Sequence, residues 1–322
     1  MRKVIFDTDI GIDDAMALLF LHYARNVELR AIVTGFGNAS IDDTTRNALY
    51  VSERFNIAAP VYRGAAESTG TSLFDSYPDF VHGKNGLGDV DIPHISATQE
   101  SAGGAQAIVD IATANPGDIT IVAVGRLSNV ANALKLCPEL PQLLRELVVM
   151  GGAFGFNGHR GNVSPVAEAN IAGDPEAADF VFRSGIPTTI VGLDVTAQTT
   201  MDDDFFELLK NKAGDAGQFI FDISRHYLDF HEQHTGRHAC AVHDSSAVAY
   251  LLAPELFTTR DAGVRVVSTG PAIGQTIWSD PEVSYQTGAW SELPRCRICT
   301  DVDSAGVLDL YRKTLLSAVD NS

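Results

Sequence analysis

The chain has 322 residues, a hydrophobic fraction of 45%, a charged fraction of 20% and a formal net charge of −18. That length and apolar content suffice for a full hydrophobic core. The acidic excess argues against a nucleic-acid footprint or an anionic membrane surface as partner, and no apolar run reaches the roughly 18 residues of a membrane span.

The N-terminus enters an apolar run by Val4 without the charged, apolar and small-residue pattern of a signal peptide. Four cysteines (Cys137, Cys240, Cys296, Cys299) are few for this length, which fits a reducing cytoplasm without structural disulfides. Short β-branched runs predict strands at 3–6, 29–34, 119–124, 146–150 and 188–192, and helical patterns at 13–24, 41–55, 101–114, 128–136 and 174–184 alternate with them. Such alternation predicts an α/β fold, a largely parallel, Rossmann-like central sheet flanked by helices. Past residue 195 the pattern turns mainly helical, over 202–212, 215–231 and 243–252. "HEQHTGRHAC" in that region is not a zinc-protease HExxH, because Thr235 stands where the second histidine belongs. After residue 260 short strands and turns are expected, then a last helix near 304–318. "RCRIC" within that stretch offers two zinc ligands with no matching second pair, so it reads as a strand carrying small apolar thiols. No repeat or Pro/Ser-rich linker divides the chain, so residues 1–322 read as one domain.

Each predicted core strand ends in a polar or glycine-rich turn: "DTDIG", "GFGN", "GRLSN", "GGAFGFNG", "LDVT". Ligands of parallel sheets bind outside the carboxyl ends of the strands, so these turns point to one functional edge. The first of them, with the start of the helix that follows, carries Asp7, Asp9, Asp13 and Asp14 within eight residues. At about 4 Å two like unit charges repel by roughly 4 kcal/mol at an effective dielectric near 20. A solvated charged face fits poorly after an apolar strand. Helix N-capping accounts for Asp13 and Asp14 but not for Asp9. A hard divalent cation accounts for the whole cluster, because it converts repulsion into attraction. An EF-hand is excluded, since Gly11 and Leu18 stand at its fifth and twelfth positions. The DxDx[TV] start of haloacid-dehalogenase-like phosphatases matches at Asp7 and Asp9, but Gly11 replaces the Thr or Val.

"DTDIGIDDAMAL" resembles the N-terminal signature of the inosine-uridine nucleoside hydrolases, and five further motifs agree in order: "GFGN", "VHGKNGLG", "VAVGRLSN", "GNVSPVAEANI" and "VHD". The resemblance spans residues 4 to about 250. It implies a nucleoside hydrolase fold and hydrolysis of the N-glycosidic bond of ribonucleosides to base and ribose. It implies Ca2+ held by Asp9, Asp14, Asp244 and the backbone carbonyl of Val124, with Asp9 also taking the proton of the attacking water. Asp13, Asn38, Asn162, Glu168, Asn170 and the backbone around Met150 would hold the ribose. His82 and His243 would lie near the base, His243 as its proton donor, with Tyr227 and His231 as further base contacts from a stretch that also carries His226, His234 and His238. A homodimer or homotetramer, a cytoplasmic location and a role in purine or pyrimidine salvage are implied as well, with no nucleic-acid or membrane partner.

That chemistry is coherent from below. Glycosidic cleavage passes through an oxocarbenium-like state, which carboxylates and amide oxygens stabilise. The leaving base gains from a proton, which histidine is suited to give near neutral pH. Four positions depart from the family pattern: Ile10 and Arg126 for prolines, Ala169 for the phenylalanine of AEFN, and Ser245 for the proline after His-Asp. They bear on substrate preference. Two rival readings remain at this stage, a catalytically silent nucleoside- or ribose-binding protein on the same scaffold and the phosphatase.

Overall fold

In the computed structural model, which describes residues 1–290 and 292–317, the first apolar run forms β1 (Arg2–Thr8). The strands after it are β2 (Val27–Thr34), β3 (Val61–Arg63), β4 (Ile119–Ala123), β5 (Leu144–Met150), β6 (Thr188–Val191), β7 (Thr200–Asp202), β8 (Ala239–Ala241), β9 (Phe257–Val266), β10 (Thr276–Ser279) and β11 (Arg295–Val302). Nine of them make one sheet in the order β10-β9-β11-β6-β5-β4-β1-β2-β3, while β7 and β8 pair separately. Every pairing from β3 across to β11 is parallel; β9 and β10 run antiparallel at the far edge. The expected α/β fold with a largely parallel sheet flanked by helices is present.

The parallel body has the order of doubly wound nucleotide-binding sheets, with the topological switch between β1 and β4. Its central strands are buried on both faces, which explains their continuous apolar sequence. Val4 and Phe6 of β1 pack into one core layer and Ile5 into the other. The last helix, Ser304–Leu316, closes the first layer by setting Tyr311 against Phe20 at 4.8 Å between ring centroids; residue 318, included in the expected helix, lies outside the described residues. Cys296 and Cys299 lie buried on β11 as expected for small apolar thiols.

Expected helices recur at Ile12–Tyr23, Ile41–Arg54, Gly104–Ala114, Ser128–Leu136 and Pro175–Phe182. The helical region past 195 becomes Asp203–Lys212, Gly214–Thr235 and His243–Leu252. Side-chain caps set several starts: Ser40 accepts from Asp43 N at 3.2 Å, and Asp202 from Phe205 N at 3.0 Å. Among the described residues no helix is long and apolar enough to cross a membrane.

Candidate active site

The turns after β1, β2, β4 and β5 meet at the switch point, and helices Gly214–Thr235 and His243–Leu252 close over them. Together they enclose a cavity of about 470 Å³, within the usual range for small-molecule sites. Asp9, Asp13, Asn38, His82, Val124, Met150, Asn162, Glu168, Asn170, Tyr227, His231, His243 and Asp244 all line it. Asp14 does not line it, and it serves the turn instead. Its carboxylate accepts from Thr8 Oγ1 at 2.6 Å, Gly11 N at 2.9 Å, Asp9 N at 3.2 Å and Asn38 Nδ2 at 2.7 Å. Helix capping and membership of the acidic cluster therefore hold together at this residue. One carboxylate oxygen each from Asp13, Asp14 and Asp244 lies within 4.8 Å of the others, a trio in which Asp13 stands where Asp9 was expected.

Asp9 sits beside that trio, clasped by backbone. Its Oδ2 accepts from Asn38 N at 2.9 Å. A methyl group at Gly37 would lie 1.8 Å from Oδ2, and one at Gly125 would lie 2.7 Å from Oδ1. Glycine is thus demanded on both sides by the close approach. Asp7 lies just outside the cavity. Asn129 Nδ2 donates to it at 2.8 Å and also to Thr34 O at 3.0 Å, which ties β1 to β2.

Burial dominates the electrostatics. It pushes Asp7 up to about 7 against the opposing Asn129 hydrogen bond, and pushes Asp13 up to about 8 with help from the Asp14 charge. Asp9 and Asp244 are also raised well above the usual carboxylate range, first by burial and then by neighbouring carboxylates; Arg126 opposes this at Asp9. Such groups are held toward neutrality unless a cation offsets them.

The residues fit a hard divalent ion. The donors are all oxygen, and the Oδ1 atoms of Asp9 and Asp13 are buried without a hydrogen-bond partner among the described residues. Val124, whose carbonyl was expected to complete the set, also lines the cavity, and that carbonyl accepts from Asn170 Nδ2 at 2.6 Å.

The remaining expected residues divide by role. Glu168 caps helix Ala169–Gly173, accepting from Asn170 N at 2.8 Å and Ile171 N at 3.1 Å, and takes Gly152 N at 2.9 Å. Asn162 Oδ1 accepts from Ala169 N at 3.0 Å, so it shapes the turn as well as facing the cavity. His82 Nδ1 accepts from Ile12 N at 3.2 Å, and its ring stacks on Tyr227 at 5.7 Å. His243 Nδ1 pairs with Thr196 Oγ1 at 2.8 Å, leaving Nε2 as the free ring nitrogen. Burial, then neighbouring histidines, lowers His82 and His243 to about 3. His231 falls to about 4 for the same reasons. Of the other histidines in that stretch, His226, His234 and His238 stay off the cavity wall.

Residues not anticipated from the sequence include four aromatics. Phe74, Tyr77, Phe80 and Phe230 line the outer cavity. The clustering of aromatics in "FDSYPDFVHG" is the one signal that could have pointed to three of them. Thr196 ends the "LDVT" segment that the sequence placed at the functional edge, but nothing there marked it as the partner of His243.

Comparison with known proteins agrees with this geometry. A family model described as "Inosine-uridine preferring nucleoside hydrolase" matches residues 4–309. The chain is 37% identical over 318 residues to uridine nucleosidase 1 of Arabidopsis thaliana, covering 98% of this chain and 93% of that protein. The solved structure of a plant nucleoside hydrolase, PpNRh1, superposes with a TM-score of 0.93 at 32% identity, covering 98% of this chain and 99% of its own. A purine-preferring ribonucleoside hydrolase from Gardnerella vaginalis superposes at 0.91 with 31% identity and full coverage of both chains. The chain therefore belongs to the inosine-uridine preferring nucleoside hydrolase family and is an enzyme acting on N-glycosyl compounds. The phosphatase alternative falls with that assignment.

Proposed function

We propose that this protein hydrolyses ribonucleosides to free base and ribose, with a calcium ion in its acidic floor and residues 1–322 acting as one catalytic domain. The observation that carries this reading is the convergence of Asp9, Asp13, Asp244 and Glu168 with His82 and His243 in one cavity at the sheet's switch point. Asp9, Asp14, Asp244 and the Val124 carbonyl would hold the ion, and the tight trio adds Asp13 as a close neighbour. When bound, such an ion neutralises the carboxylates and acidifies a water, though less strongly than zinc does.

The protein's own groups then divide the work. Asp9, gripped by Asn38 N on one oxygen, keeps the other free to accept the proton of the attacking water. Asp13, Asn38, Asn162, Glu168, Asn170 and the backbone at Met150 hold the ribose. Their oxygens stabilise positive charge as the glycosidic bond breaks. His243 faces the departing base through Nε2, since Thr196 occupies Nδ1. Burial holds that ring neutral, and negative charge developing on the base opposes the effect by favouring the protonated form. His82, Tyr227 and His231 border the base.

The test is direct. The protein is incubated with calcium and a panel of purine and pyrimidine ribonucleosides, and reducing sugar is assayed. Ribose released together with free base is the expected result. Nucleoside binding without ribose release would overturn the proposal in favour of a silent binder.

A further inference from the structure

Among the described residues, Arg126 is the one arginine or lysine side chain on the cavity wall. Its guanidinium lies over the Phe36 ring at 4.3 Å and the Phe74 ring at 5.4 Å from the centroids. It makes no hydrogen bond or ion pair with the described residues, although its head is only partly exposed. The backbone has made room for it: a methyl group at Gly173 would lie 2.2 Å from Arg126 Nε. Five N–H donors are thus fixed by aromatic packing at a cavity wall, with no protein acceptor to use them.

We propose that Arg126 is a specificity residue that hydrogen-bonds the oxygen on C5′ of the sugar; this rests on the ribonucleoside reading above. A furanose carries its base on C1′, its diol on C2′ and C3′, and its exocyclic arm on C4′, across the ring oxygen from the base. With the diol toward the acidic floor and the base toward Tyr227 and His231, the C5′ arm points away from helix Gly214–Thr235. Arg126 packs between Phe36, Phe74 and Gly173, none of which belongs to that helix. The charge inventory selects a neutral acceptor. With a divalent cation bound, the four cavity carboxylates Asp9, Asp13, Glu168 and Asp244 would still outweigh that ion and the one guanidinium, so a 5′-phosphate would be repelled and a 5′-hydroxyl is the fitting partner.

The experiment compares kcat/KM for uridine and 5′-deoxyuridine, and for inosine and 5′-deoxyinosine, in wild type and Arg126→Met. Met keeps an unbranched apolar stem between the two rings. Wild type is expected to favour the 5′-hydroxyl by roughly 10- to 100-fold, the effect of one charge-assisted hydrogen bond. Arg126→Met should collapse that ratio by losing the hydroxylated substrates selectively. Gly173→Ala, which displaces the guanidinium without removing it, should do the same. Equal losses on both members of each pair would overturn the proposal and make Arg126 a structural residue. A 5′-monophosphate cleaved as well as uridine in wild type but not in Arg126→Met would also overturn it, in favour of an anion site. The thermal shift produced by ribose against 5-deoxyribose reads the same discrimination without turnover. Failure to cleave any nucleoside would therefore sink the functional reading, while the shift still decides on Arg126.

Discussion

On the floor of the cavity, carboxylates are held by backbone N–H groups at the ends of strands; on its outer wall, ring packs against ring. Asp14 takes Gly11 N and Asp9 N, Asp9 takes Asn38 N, and Glu168 takes three backbone donors. The wall is His82 on Tyr227 at 5.7 Å, Tyr227 against His231 at 4.6 Å, and Phe80 against Phe230 at 5.7 Å. Asp14 is fully buried, whereas Phe80 is 67% exposed. Directional bonds from a rigid sheet fix atoms closely, while ring contacts tolerate shifts. On the proposed function, the floor suits the bond-breaking chemistry common to all nucleosides and the wall suits bases of different size.

The largest expected effect comes from removing the ion. Exhaustive chelation should abolish ribose release, and calcium should restore it. Stability sharpens the contrast. A carboxyl with a raised folded-state pKa contributes stability while protonated, and loses it as pH rises from the unfolded value of 3.8 through the folded one. Asp13, pushed up to about 8, sets the upper end of that window. The melting temperature of chelated protein should therefore fall between about pH 4 and 8, and the stabilisation by added calcium should grow over the same range. The histidine wall acts in the opposite sense, losing stability as pH falls from 6.5 toward about 3 to 4. Full activity in protein shown by elemental analysis to be metal-free would remove the basis for the contrast.

The floor was legible in the sequence and the wall largely was not. Asp9, Asp13 and Asp14 follow an apolar strand within one short motif, and the GN, AEAN and HD signatures each carry their residues on a strand end or helix start. Local chain geometry then delivers them to the same edge. Asp13 and Asp14 are sequence neighbours, and only the packed structure shows that Asp14 carries the hydrogen bonds of the turn while Asp13 lines the cavity. β3 escaped notice because three residues, Val61–Arg63, carry no usable periodicity. The four-residue helix Asp79–His82 is too short to declare itself by pattern. Phe74 and Tyr77 sit in irregular backbone and Phe80 in that single helical turn, where nothing in the sequence says which way a ring turns. Phe230 lies on a helix whose several aromatics and histidines give no unique face.

Next in size is Asp9→Asn. Asparagine keeps the side-chain size and one ligand oxygen but cannot take a proton from water. Turnover is expected to fall toward the upper part of the 100- to 10,000-fold range of general-base loss, roughly, with the fold intact by circular dichroism. Near-normal turnover with calcium still bound would move the base elsewhere. His243→Ala should cost roughly 100-fold on inosine and uridine, the lower end of that range. A p-nitrophenyl riboside departs as a stabilised phenolate, so the same variant should cleave it with little loss. Equal losses on both substrates would place His243 with the floor, as a support for Asp244, and not with the wall.

The smallest effect tests the wall alone. Phe230 touches three rings: Phe80 at 5.7 Å, His231 at 5.3 Å and His234 at 4.2 Å. Its contact with Phe80 joins helix Gly214–Thr235 to the segment that carries His82. Phe230→Ala removes this link and touches no floor carboxylate. One aromatic pair contributes about 0.5–1.5 kcal/mol beyond its buried area, so KM for nucleosides should rise by roughly 2- to 10-fold. If the wall only surrounds the base, kcat should move by less than KM. The melting temperature should change little, because the ring is half-buried in the free protein. The same substitution should leave calcium affinity as it was, since the proposed ligands lie at strand ends and at the starts of helices Ile12–Tyr23 and His243–Leu252. A fall in kcat matching the rise in KM would mean that the ring contact also positions His231 or His82 for the chemical step. The division between a reacting floor and an accommodating wall would then have to be redrawn around those histidines.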